Sequence, residues 1–261
     1  MGHSRLTGAL PDTSPWRNVV GLIAGNADVA VVADATMDAA QRGLELADGD
    51  EGLKQTFWLL SQITLAARQD DFQAALKHLG VGVPSGPSVL DIVAGFTDAV
   101  DGHLRETRGR TDIGEMAQMS AAECLTAVLT ERSRSLFGTT AADVQDAVRG
   151  FSTKAGFATF AHDFFARFTQ RYLTYHLSRE FANHVGPGQR FESPSEHTAF
   201  VDHLGTHCRQ AAVIVRDFAG GWYSKTNFEG GISPAKAKGF IHVALKKIRR
   251  ELKIRGERDG A

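Results

Sequence analysis

The chain has 261 residues, with 29 Lys and Arg against 30 Asp and Glu, 43% hydrophobic and 23% charged, a composition that excludes a disordered or fibrous chain. Its two cysteines, Cys124 and Cys208, cannot form a disulfide framework and lie in no Cys-x-x-Cys pair that would anchor structural zinc, so a reducing cytoplasm is the expected compartment. No apolar run approaches the roughly 20 residues that cross a bilayer, and no signal peptide is visible, so no membrane association is expected.

Charge divides the chain more clearly than composition. Residues 1–150 hold 12 bases and 20 acids, whereas residues 151–261 hold 17 bases and 10 acids. The predicted organisation is a flexible segment over 1–15, an acidic helical bundle over 16–150 and a basic helical bundle over 151–261, divided near residues 138–152. Ordered structure is expected from about Trp16. Between Val19 and Ala35 the small and β-branched residues suit a helix slightly better than a strand.

Leu53, Phe57, Leu60, Ile63 and Leu65 are apolar on more than one face, as in a buried helix. Phe72, Ala75, Leu76 and Leu79 follow at helical spacing, and the short polar link between the two predicts an antiparallel helical pair. Glycines 80, 82 and 86 with Pro84 and Pro87 break the pattern. A new helix is predicted from about Ser88, with Val89, Val93, Phe96, Val100 and Leu104 on one stripe, ended by the charged run from Arg105 to Arg110. Asp112 with Glu115 three residues later resembles a capping box for a helix carrying Ile113, Met116, Cys124 and Val128. Thr140, Asp143, Val144 and Val148 outline a shorter one.

The strongest periodicity is the aromatic stripe Phe157, Phe160, Phe164, Phe168, Tyr172 and Tyr175, which predicts a long helix of about five turns. Phe200, Leu204, Cys208, Ala211, Val215 and Phe218 predict another from about Ser195, stopped by Gly220 and Gly221. Ser233 and Pro234 are suited to cap and open a last helix with Ile241, Leu245, Ile248 and Leu252 on its apolar side. Alternating patterns are scarce. The fold class expected is all-α, a bundle of about eight helices that could divide into two packed sub-bundles.

Residues suited to chemistry give no complete motif. Six histidines fall between His162 and His207. His203 and His207 have the spacing that lets two imidazoles share an ion, but Leu204 stands where a zincin has its glutamate. The pair His162 and Asp163 resembles the His-Asp dyad of metal-dependent phosphohydrolases of the HD type. That resemblance implies metal ligation by these two residues, completed by His176, His203 or His207, and hydrolysis of a phosphate ester. Their plainer reading is as polar residues on an otherwise apolar helix. No nucleophile elbow or phosphate loop is present, and both cysteines fall among apolar neighbours.

Two surfaces remain. The segment 220–231 holds Trp222, Tyr223 and Phe228 between glycine pairs, with Lys225 and Asn227 beside them, and is expected to be a loop whose rings dock into a partner. The C-terminal helix carries nine bases against two acids between Lys236 and Arg258, with Lys246, Lys247, Arg249, Arg250 and Lys253 as candidate contacts. Such a helix suits an acidic protein surface, and nucleic acid is a further candidate. The functional expectation is a non-catalytic helical adaptor, without cofactor, in a bacterial multi-protein system. The HD-type phosphohydrolase and a nucleic-acid-binding module are the alternatives.

Overall fold

Helical periodicity becomes helix wherever it was strong. A computed structural model describes residues 10–47, 49–107, 109–132 and 140–259. Within them are twelve α-helices, a three-residue helical turn over Ala182–His184 and an isolated bridge between Val185 and Phe191. The all-α class stands, while the expectation of about eight helices falls short of the twelve among the described residues. The predicted flexible segment up to residue 9, the charged run at residue 108, the Val128 side chain and the start of the 138–152 division lie outside what is described.

The first region expected as one helix is two. α1 (Ser14–Ala24) ends at Gly25 and Asn26, the latter left-handed with φ 56°, and α2 (Val29–Ala39) restarts with the Asp28 carboxylate accepting from the Ala30 amide. A short α3 (Gln41–Ala47) follows. α4 (Glu51–Ala66) and α5 (Phe72–His78) are the predicted pair, capped by Asp50 and Asp71. α6 (Val89–Thr107) buries Ile92, Phe96, Val100 and Leu104. α7 (Asp112–Arg132) is capped by Thr111 rather than by Asp112. The Thr111 hydroxyl accepts from the Gly114 amide, while Asp112 accepts a hydrogen bond from the Tyr175 hydroxyl. α4 and α7 approach closely where Gly52 meets Gly114, since a Cβ on residue 52 would lie 2.6 Å from the Gly114 Cα.

α8 (Ala141–Gly150) opens on a full capping box between Thr140 and Asp143. α9 (Lys154–Phe181) is the central rod. Its predicted aromatic stripe is buried from Phe157 to Tyr172, and Phe165 is buried as well, so α9 is enclosed by α7, α10 and α11 rather than lying on the surface. The helix predicted from Ser195 is α10 (Pro194–Ala211), and its apolar stripe continues across a break at Ala212 into α11 (Val213–Phe228). α12 (Pro234–Asp259) begins as its sequence foretold, with the Ser233 hydroxyl accepting from the Lys236 amide. The buried apolar residues form one connected cluster running from Leu10 to Leu252.

Gly220 and Gly221 do not stop a helix. A Cβ at residue 220 would lie 2.4 Å from the Lys154 carbonyl oxygen, so this glycine lets α11 press against the start of α9. The expected loop over 220–231 is therefore helix as far as Phe228, and only the turn beyond it, with Gly230 and Gly231 at φ 91° and 89°, is irregular.

Candidate functional site

The α11–α12 hairpin holds all ten residues that the sequence singled out as partner contacts, and it divides them. Trp222 and Tyr223 point inward. The Trp222 ring lies 4.4 Å from that of Phe240, and Tyr223, 1% exposed, stacks on Phe157 at 4.1 Å. The Tyr223 and Thr64 hydroxyls share a hydrogen bond of 2.9 Å. Rings of this size on a helix facing α9 are drawn toward the core by their own area, Tyr223 fully and Trp222 in part. Arg249 is also occupied internally, donating to Asp38 on α2 at 3.1 Å and to Gln41 at 2.7 Å. Part of the basic helix thus serves to dock on the acidic front of the chain.

The other positions face outward. Phe228 is 92% exposed at the end of α11, Lys225 stands one turn before it, and Asn227 is half-buried between them. Lys246, Lys247, Arg250 and Lys253 are exposed along α12. Val243 and Ile254 share that face, at 40% and 48% exposure. Positions 243, 246, 247, 250, 253 and 254 recur at steps of three and four, so they form one stripe opposite the buried Ile241, Leu245, Ile248 and Leu252. The Lys247 ammonium sits 5.7 Å from the centre of the Phe218 ring, which links the stripe to α11.

The turn that follows Phe228 is tethered. The Ile232 carbonyl accepts from the Trp58 indole at 2.9 Å and from the Gln62 amide at 3.0 Å, both on α4. The Lys236 ammonium donates to the Glu229 and Gly231 carbonyls at 3.1 and 2.9 Å. Sequence reasoning missed Val243 and Ile254 as part of the surface and Trp58 and Gln62 as its supports. The stripe was available from helical spacing, whereas a tether across some 170 residues of chain leaves no local mark.

The histidines and acids take separate places. His162 donates from Nε2 to the Arg209 carbonyl at 2.9 Å. Asp163 is held by Arg167 at 2.7 Å and Arg209 at 2.9 Å, which occupy one carboxylate oxygen each. Burial alone would raise the Asp163 pKa, but the Arg167 bond and charge, with Cys124 and Arg209, hold it below the usual carboxylate value. His203 is exposed and His207 buried on the same helix. Among the described residues no three His, Cys, Asp or Glu side chains gather as a metal site would require. Burial pushes both the Cys124 and Cys208 thiols well above their ordinary range, which disfavours the thiolate. No helix among the described residues is long and apolar enough to cross a membrane.

No family model, curated protein or solved structure matches this chain.

Proposed function

We propose that the chain is a non-catalytic interaction protein, a helical adaptor that binds an acidic protein surface through the outward side of its α11–α12 hairpin. The carrying observation is Phe228, a large ring left 92% exposed on the last residue of α11, next to a turn that Trp58, Gln62 and Lys236 hold in place. A backbone already held beside the ring spares the cost of ordering it when a partner buries the ring. The cations of α12 complement it, because Lys246, Lys247, Arg250 and Lys253 steer an acidic surface toward the same hairpin, while exposed Val243 and Ile254 add apolar area to the contact. This reading retains Lys225, Asn227, Phe228, Lys246, Lys247, Arg250 and Lys253 as contacts and gives Trp222, Tyr223 and Arg249 the role of holding the hairpin.

A photo-reactive residue at position 228 or 250, expressed in the cell of origin, tests it. The expected result is the same acidic protein cross-linked from both positions, with the yield reduced about tenfold by Lys246→Glu combined with Arg250→Glu at unchanged helix content. Adducts with nucleic acid from both positions would overturn the protein partner in favour of phosphate recognition, and the absence of any shared adduct would overturn the interaction surface itself.

A further inference from the structure

Away from the hairpin, α7, α9 and α10 enclose a cleft of about 410 Å³ whose wall carries three guanidinium groups, those of Arg167, Arg171 and Arg209. Arg167 and Arg171 are one turn apart on α9, and Arg209 comes across from α10. Between the two helices, Gly205 leaves room for the Gln170 side-chain amide. A Cβ there would meet the Gln170 amide at 2.7 to 2.8 Å. Three cations in one cleft repel each other, and among the described residues the acids within bonding distance are Glu123 and Asp163.

Those two acids differ in kind. Asp163 is buried, with 11% of its side chain exposed, and it bonds the Nε of Arg167 and one terminal nitrogen of Arg209. It acts as a positioning residue that fixes two guanidinium planes, and the His162 bond to the Arg209 carbonyl fixes the backbone behind the second. Glu123 reaches over from α7 with half its side chain exposed and bridges Arg167, at 3.4 Å, and Arg171. An anion entering from solvent would bridge the same pair. Beside it, Arg171 Nε and Thr174 Oγ1 are buried with no hydrogen-bond partner among the described residues, and both residues line the cleft. A buried donor left unpaired is costly, and an oxyanion is the acceptor that fits a guanidinium edge.

We infer that this cleft binds a small organic oxyanion, whose phosphate or carboxylate displaces Glu123 from Arg167 and Arg171 and is also faced by Arg209. The apolar body of the ligand lies against Met116 and Val201, which line the same cleft. With Glu123 displaced, three cations face Asp163 alone, an excess of two positive charges that matches a phosphate monoester dianion and leaves one uncompensated for a carboxylate. The site is separate from the hairpin surface and does not depend on it.

Calorimetric titration of the full chain with phenyl phosphate, benzoate and inorganic phosphate tests the inference. Phenyl phosphate is expected to saturate one site and to bind about tenfold or more tighter than inorganic phosphate, which lacks the apolar body. Arg171→Met is expected to weaken it at least about tenfold, and Glu123→Gln to tighten it because the internal competitor loses its charge. Tighter binding of benzoate than of phenyl phosphate would assign the site to carboxylates within the same class. If Arg171→Met fails to fold, Glu123→Gln still reads the competition in the opposite direction. Saturation by neither aryl probe up to about 10 mM, or one affinity shared by the parent and the Glu123→Gln protein, would overturn it. The Lys246→Glu, Arg250→Glu protein is expected to bind phenyl phosphate normally, so this outcome is independent of the partner surface.

Discussion

His176 stands where a charge is hard to hold. Its ring on α9 lies 5.1 Å from Trp16 on α1 and within 5.0 and 5.2 Å of Tyr172 and Tyr175. Burial, with the positive charge of Arg179 adding to it, lowers its pKa from 6.5 to about 4. Between those values the unfolded chain takes up a proton that the folded chain refuses. The stability contributed by this ring is therefore full above about pH 6.5, falls as pH drops through the window and levels off below about 4. Allowing for the ring's residual exposure, the loss is about 2–3 kcal/mol. Denaturant titrations of the parent and His176→Phe at pH 7.5 and pH 4.5 are expected to show a smaller acid loss in the variant. A loss as large in His176→Phe would show that other groups set the pH dependence. The sequence offered His176 as a metal ligand or as a mere member of a histidine-rich stretch, since its indole neighbour lies 160 residues away. The guanidinium cluster was half legible: Asp163, Arg167 and Arg171 follow at steps of four, but Arg209 comes from another helix.

At the level of the element, strong periodicity was enough to find α4, α6, α9 and α12, because a helix that must bury one stripe repeats its apolar residues every three or four positions. Breaks were harder to read. α10 and α11 part at Ala212, where no glycine or proline stands and the apolar stripe runs through, so nothing local marks the turn. The reverse error occurred at Gly220 and Gly221, where glycine was read as a stop but serves a close approach. These neighbours separate the two roles. Gly220→Ala would force a methyl against the Lys154 carbonyl and is expected to destabilise by about 1–3 kcal/mol. Gly221→Ala meets open space in a helix interior and is expected to stabilise by up to about 1 kcal/mol. Urea midpoints of the two variants moving in the same direction would contradict the close-approach role.

Across the whole molecule, the acidic front and basic back are joined by the docking of α12 on α2. Arg249 reaches Asp38, and α12 comes so near that a Cβ at residue 256 would lie 2.7 Å from the Asp34 Cβ. The aromatic centre draws on both ends of the chain. Phe57 of α4 lies against Phe164 and Phe165 of α9 at 5.7 and 5.4 Å, and stacks on Phe240 of α12 at 5.0 Å. Phe57→Ala is expected to cost about 3–5 kcal/mol. Because these rings are shared, far- and near-ultraviolet circular dichroism should lose signal together in that variant. Separate transitions would mean that the front and back unfold as independent units.

The Ile232 carbonyl has one more consequence. Of the three tryptophans, Trp58 donates to that carbonyl and Trp222 lies on Phe240, so two indoles stand at the seam where the final helix and its lead-in turn meet the remaining chain. The third, Trp16, stands beside His176. The native fluorophores therefore act as two gauges with different origins: detachment of the last helix wets a pair of emitters at once, whereas acidification reaches the single emitter at the opposite end of the chain.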